Sequence, residues 1–320
     1  MKRRILCLAV FLLLFVLFSS AAMADGLPQL EYEITEEGIT ITGCDAAASA
    51  ELIVPDEING KPVTAIGSGA FSGCEYLTSI VLPDSVEHVG SYAFYGCTSL
   101  EKLSIPTTAK VDYEGLFAGC SSIKSFSLPA DLHNIADKMF MGCSSLQRVT
   151  IPASVKSIGS SAFSGCSSLK FVILPTGLEE IGSEAFNDCR QLFFVRMPKA
   201  LDKLGEKAFA GCSALRIFAL PDTLSSIPAR AFYGCEALEK LYIPSGVYEI
   251  GEEAFAGCAS LAEIEFARSA ADVLTIGDGA FMLEGSLETK LAVPNADKLN
   301  SAITAYEWEL SGRPYEIVEN

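Results

Sequence analysis

One interval dominates the chain. Cysteines fall at Cys74, Cys97, Cys120, Cys143, Cys166, Cys189, Cys212, Cys235 and Cys258, always 23 residues apart. Phenylalanines keep the same step three residues earlier, from Phe71 to Phe255, and Phe281 follows after 26. Self-similarity at a fixed period of this size specifies a solenoid. No single unit encloses its own apolar side, so each must bury it against the next, and the array forms one domain.

The unit is written L-x-x-V-x-L-P-x-x-V-x-x-I-G-x-x-A-F-x-G-C-x-x. In the copy that starts at Leu169, the inward positions are Leu169, Val172, Leu174, Leu178, Ile181, Ala185, Phe186 and Cys189. The x-V-x stretch alternates as a half-buried strand does. The proline that follows ends it, having no N–H for a further ladder bond. "IGSEAF" is too short for an ordinary helix, so a turn, a 3₁₀ turn or a single helical turn is expected there. The glycine before each cysteine suits a tight return at positive φ. The expected fold is a leucine-rich repeat solenoid with one parallel strand per repeat, short returns and a cap at each end.

Cysteines at one structural phase stack in a column. Neighbouring strands lie about 4.8 Å apart, whereas a disulfide wants Cβ atoms about 3.8 Å apart and turned toward each other. Parallel Cβ vectors meet neither demand, and nine in a column leave one over. The nine are read as a structural ladder of buried free thiols, small hydrophobes with a weak donor. Cys44 is out of phase and falls in the N-terminal cap.

Three departures mark local features. Ala109 and Asp112 occupy phases held elsewhere by Val/Leu and Ile/Val. A lone buried carboxylate is costly, so Val111 or Tyr113 is expected to rotate inward there. Pro228 replaces the glycine of an "IG" pair, and three residues are inserted within "ARSAADVLTIG". The ends differ from the middle, as caps must. "LEYEITEEGITIT" reads as a hairpin around Glu36, Glu37 and Gly38. Near the other end a strand and a proline precede an amphipathic helix expected around Asp297 to Tyr306, with Trp308 over the last edge.

The first residues carry Lys2, Arg3 and Arg4, then an unbroken apolar run from Ile5 to Phe18, then small residues ending in Ala22-Met23-Ala24. That is the layout of a cleaved export signal, giving a chain that starts at Asp25; an uncleaved anchor is the alternative. The expected organisation is a signal peptide over 1–24, an N-terminal cap with a hairpin over 25–52, about ten solenoid units over 53–285 and a C-terminal cap over 286–320. The net charge is −17, and −20 once the three basic residues are removed. Nucleic acid and anionic membrane surfaces need a basic face and are disfavoured.

The pattern resembles the BspA-like leucine-rich repeat family of bacterial and protist surface proteins. The resemblance rests on "INGKPVTAIGSGAF", on the recurring "IGxxAFxGCxxL" and on the repeated "LP", and spans roughly Ile53 to Phe281. It implies a secreted or cell-surface protein engaged in adhesion or host-protein interaction, and leaves the ligand open.

Signals for catalysis are thin, and no enzyme activity or cofactor is expected. The two histidines, His88 and His133, sit at different phases two repeats apart and do not converge. Serine clusters in "CSSL" turns, where it supplies local hydrogen bonds. The chain has no G-x-S-x-G elbow, P-loop or C-x-x-C spacing. Glu179-Glu180 and Glu252-Glu253 read as solvated outer turns. The outward strand positions carry more information. They are small and polar in the early repeats, then turn apolar and aromatic at Phe171/Ile173, Phe194/Arg196, Ile217/Ala219 and Lys240/Tyr242. An exposed apolar patch rimmed by charge suggests an interaction site, and aromatics with Arg are the usual anchors of one. Phe171, Ile173, Phe194, Arg196, Ile217 and Tyr242 are the candidate partner-binding residues. The partner is expected to be a protein or other cell-surface macromolecule. A second copy in a self-assembling envelope protein is the alternative, with a targeting module for an enzyme behind it.

Overall fold

The computed structural model describes residues 30–45, 50–216, 218–267 and 274–283, and the backbone of the strands Thr289–Val293 and Tyr315–Glu319. Each repeat makes one coil. Its x-V-x stretch is a short strand such as Phe171–Ile173, with Val172 buried and its neighbours facing out. Where consecutive strands pair they do so in parallel at the repeat offset, so Phe171 faces Phe194 and Ile173 faces Arg196, while Arg148–Thr150 is not paired with Phe171–Ile173. The conserved offset follows from burial: a one-residue slip would turn Val172 to solvent.

The return differs in one respect from the sequence expectation. The residues around each isoleucine of "IG" form a second ladder of two-residue strands, such as Ser157–Ile158, Glu180–Ile181 and Lys203–Leu204. The rest of "IGSEAF" is turn, and no helix occurs among the described residues. The backbone bonds explain why. Ala185 and Asn187 donate back within the turn, to Gly182 at 3.3 Å and Glu184 at 3.0 Å. Glu184 and Phe186 instead donate forward, to Glu206 and Ala208 of the next coil at 2.8 Å each. With every second N–H committed to the neighbouring coil, a helical run has no donors left to propagate. This geometry places the second variable residue after "IG" at positive φ, as at Ser161 (55°), Glu184 (58°) and Lys207 (54°). The glycine before cysteine is also left-handed, as at Gly165 (74°), and Asp188 takes that role at 56°.

The glycine of "IG" serves another purpose. A Cβ at Gly205 would lie 2.2 Å from the Ser183 nitrogen, and one at Gly251 would lie 2.4 Å from the Ala229 nitrogen. These positions are where adjacent coils touch backbone to backbone. Gly205→Ala is expected to destabilise the solenoid by about 1–3 kcal/mol, the usual cost of overpacking. Urea unfolding followed by circular dichroism measures it, and an unchanged midpoint contradicts the close approach.

Two columns fill the core. Phenylalanine rings stack from Phe71 to Phe281; the Phe163–Phe186 centroids are 5.2 Å apart at 7° and the Phe255–Phe281 centroids 5.3 Å apart at 6°. Beside them runs the cysteine column, all free thiols and all buried from Cys74 to Cys258. Each Sγ from Cys97 onward donates to the carbonyl of the phenylalanine one coil back. Cys97 reaches Phe71 at 3.0 Å, Cys166 reaches Phe140 at 3.1 Å and Cys258 reaches Phe232 at 3.3 Å. The regular step of the cysteines thus has a direct cause: the thiol is small enough for the core and hydrogen-bonds a buried carbonyl. Outside the core, opposite charges also recur at one repeat, as in Lys156–Glu179 (3.0 Å) and Glu180–Lys203 (3.7 Å). These pairs are exposed and each contributes little.

The N-terminal hairpin forms as read, with Leu30–Ile34 antiparallel to Ile39–Cys44. At the other end Glu263–Phe266 pairs with Thr289–Val293, which pairs in parallel with Tyr315–Glu319. The expected helix around Asp297 to Tyr306, Trp308 and the signal segment lie outside the described residues. The three-residue insertion appears as a register of Glu249 with Thr275, while the phenylalanine column continues past it.

The irregular repeat behaves as burial demands. Val111 pairs with Val89 and is partly buried, while Asp112 faces solvent. Both ladders stop here. Lys102–Ser104 is not paired with Ser125–Ser127, nor Lys110–Val111 with Asn134–Ile135. Phe126 holds an inward strand position that neighbouring coils give to Leu or Val, with its ring 4.6 Å from Phe117 and 5.8 Å from Phe140. Pro228 causes a second break. The glycine at its phase donates to the previous coil, as Gly251 does to Ile227 at 2.7 Å. Proline has no N–H to give, and Lys203–Leu204 is not paired with Ser226–Ile227.

Candidate binding surface

The outward strand face brings four of the candidate residues together. Phe171 and Phe194 are register partners, as are Ile173 and Arg196, in the paired strands Phe171–Ile173 and Phe194–Arg196. Phe171 is 37% exposed, Ile173 68% and Phe194 40%, and Arg196 is exposed. Each is outward because the residue between, Val172 or Val195, takes the core slot. Two residues left out of the sequence reading extend the patch. The Arg148 guanidinium lies 6.0 Å from the Phe171 ring centroid, one coil earlier in the same row. Phe193, 49% exposed, stands just before the Phe194–Arg196 strand. Arg148 was legible from the 23-residue step back from Phe171; Phe193 lies before the alternating stretch and gave no signal.

Tyr242 does not join this cluster directly. It is 38% exposed and sits in Lys240–Ile243, two coils beyond Arg196. The coil between carries Ala219 facing out and Phe218 turned into the core, its ring 4.5 Å from Phe232. Ile217 lies outside the described residues. Beyond Tyr242 the face becomes charged, with Lys240 2.6 Å from Glu263. The surface is therefore a compact aromatic and aliphatic centre flanked by Arg148 and Arg196. Such a centre can bury planar side chains and pair with carboxylates through the guanidinium forks.

A family model, the BspA type leucine rich repeat region, matches residues 57–170 and 179–302 in six copies. The chain belongs to the BspA-type leucine-rich repeat family. Among solved structures, a leucine-rich repeat protein of T. pallidum is 34% identical over 58% of this chain and 87% of its own, with a TM-score of 0.51. A leucine-rich repeat protein from Bacteroides ovatus is 22% identical over 91% of this chain and 98% of its own, with a TM-score of 0.52. The second likeness is one of fold. Among curated proteins none matches the chain.

Other chemistry-bearing residues of this BspA-type solenoid stay apart. His88 and His133 are both exposed and two coils removed from one another, His88 in the strand His88–Val89 and His133 just before the strand Asn134–Ile135. No group of three His, Cys, Asp or Glu side chains among the described residues is placed to hold a metal. The six column thiols from Cys143 to Cys258 are far from nucleophilic. Burial pushes Cys143 and Cys258 up to about 12 and raises Cys166, Cys189, Cys212 and Cys235 well above the ordinary thiol value. They remain protonated donors, inert in the sense that a reactive cysteine is not.

Proposed function

We propose that this protein is an exported, cell-surface or secreted binding module that docks another macromolecule on its strand face. The observation that carries the reading is the Arg148–Phe171–Phe194 row beside the Ile173–Arg196 pair. It is a contiguous apolar centre with two guanidinium groups, in which Phe171, Ile173, Phe194 and Arg196 are held in register by one paired ladder and Arg148 meets the Phe171 ring. Tyr242 and Ile217 are proposed as outlying contacts of the same partner. The basic, apolar and small-residue layout from Lys2 to Ala24 supports export with a chain starting at Asp25. Membership of a repeat family built on extended binding surfaces supports a protein partner.

The test is binding of the chain from Asp25 to Asn320 to extracellular matrix proteins, cell-wall glycans and host cells. A folded Phe171→Glu/Phe194→Glu variant runs beside it. The parent is expected to bind, and the variant to bind at least about tenfold more weakly, since two anchors of this kind carry well over 1 kcal/mol between them. Equal binding by both moves the site off the strand face. Light scattering that shows concentration-dependent assembly, lost in the variant, would assign the patch to self-association.

A further inference from the structure

The break beside Phe126 is more than a local irregularity. Lys102–Ser104 pairs with Ser79–Val81 on one side, and Ser125–Ser127 pairs with Arg148–Thr150 on the other. Between Lys102–Ser104 and Ser125–Ser127 no backbone hydrogen bond forms. Lys102 donates to Thr78 at 3.2 Å, and Ser104 accepts from Leu82 at 3.1 Å, so both turn away from the gap. By the alternation of a parallel ladder, the N–H and C=O of Leu103 face the gap. Across it, Lys124 accepts from Gln147 at 3.0 Å on the far side, which leaves the main chain of Ser125 and Ser127 turned toward Leu103. Two strand edges thus look at one another across an open space.

The slot encloses about 570 Å³, bordered by Lys102, Ser104, Ser125 and Ser127 and floored by Leu103, Ala109, Val111, Tyr113, Phe126 and Leu128. Its size is that of a ligand site. Ala109 leaves the room, because other coils fill that phase with Val or Leu such as Val155 and Leu178. Burial, with Asp131 nearby, raises the Tyr113 phenol above its ordinary value, as a group turned to an apolar interior requires. The coils stay joined elsewhere. Lys124 meets Glu101 at 3.2 Å, the Ser121 hydroxyl donates to the Thr98 carbonyl at 3.0 Å, and the phenylalanine column runs through at its widest spacing, 6.1 Å between Phe94 and Phe117. The slot is therefore clipped at one end and along the turn side, and open on the strand face.

We propose that this slot takes an extended acidic peptide segment of another protein, which adds a strand between Lys102–Ser104 and Ser125–Ser127. Facing unpaired edges are templates for a further strand, and main-chain pairing with alternate side chains in pockets is an established recognition mode. The inserted strand would point one apolar side chain into the cavity and its neighbours outward. Outward, Lys102 lines the slot and takes no part in the ion pairs found among the described residues. On a chain of net charge −17 this lysine, free of ion pairs, favours an acidic segment. The site is separate from the Phe171–Phe194 patch.

The probe is a fluorescein-labelled peptide, acetyl-Glu-Glu-Val-Glu-Leu-Pro-amide, which follows the alternation of the repeat with acidic outward residues. Fluorescence polarisation with the purified protein is expected to show saturable binding, weakened at least about tenfold when the valine nitrogen is methylated, since a blocked N–H cannot join the ladder. Ala109→Leu should abolish binding while keeping or raising the melting temperature, because it fills the cavity with the side chain other coils use. In hydrogen exchange, the amides of Leu103, Ser125 and Ser127 should exchange fast in the free protein and slow with peptide. No saturable binding, equal binding of the methylated peptide, or full binding by Ala109→Leu overturns the proposal. So does protection of those amides by rising protein concentration alone, which would assign the slot to a second copy.

Discussion

Raised above pH 9, the protein is expected to unfold in one steep alkaline transition. The six thiols from Cys143 to Cys258 each sit buried in the column, and burial lifts them above the ordinary value of 9.0, to about 12 for Cys143 and Cys258. The sign is fixed by which state ionises first. In the unfolded chain these thiols lose their protons near 9.0, while in the folded chain they keep them. Their contribution is therefore whole below pH 9 and drains away as pH climbs toward the folded value. Each thiol removes about 1.4 kcal/mol per pH unit once past the unfolded pKa, so six together remove about 8 kcal/mol per unit. A domain's whole stability is about 5–15 kcal/mol, so one to two pH units suffice. Circular dichroism against pH, with free thiolate followed by ultraviolet absorbance, reads both events. They should coincide. Thiolate that appears before the fold is lost would mean that the column admits solvent.

Phe163→Ala is expected to cost about 3–5 kcal/mol, the range for deleting a buried ring. Phe163 is fully buried and stacks on both sides, 5.5 Å from Phe140 and 5.2 Å from Phe186. Its carbonyl also accepts the Cys189 thiol at 3.2 Å. In a quasi-one-dimensional array, stability is a sum of unit and neighbour terms. A hole at mid-solenoid therefore weakens two interfaces at once, and the coils on either side should unfold at different denaturant concentrations. Guanidinium unfolding should show a lower midpoint and a broadened or split transition. A single transition within about 1 kcal/mol of the parent would mean that the column relaxes to close the gap, contrary to the tight packing of interiors.

The period carried most of the fold because burial is periodic in it. Leu169, Val172, Ile181, Phe186 and Cys189 are core positions in sequence and in structure. The inward turn of Val111 followed from the cost of burying Asp112. The second ladder was not legible. A strand of two residues such as Glu180–Ile181 leaves no alternation to read, and its existence depends on Gly182 letting the previous coil come close. The face at Phe171, Ile173, Phe194 and Arg196 was legible from strand alternation. The separation of Tyr242 from it was not, since that depends on how the coil of Phe218 packs. The slot beside Phe126 was hidden for a similar reason. Ala109 and Phe126 are each ordinary apolar letters, and the cavity arises from their sizes in adjacent coils.

The common step of the phenylalanine rings, the thiol bonds and the exposed ion pairs bears on how such a gene can change. Removal of the 23 residues from Leu169 to Gln191 would set Leu192 directly after Ser168 and bring the Cys212 thiol under the Phe163 carbonyl. Donor, acceptor and ring would each meet an equivalent partner. A loss within the paired and stacked segments that is not a whole number of repeats would set the columns out of step. Recombination between repeats can thus lengthen or shorten the molecule by whole coils without passing through a misfolded ancestor.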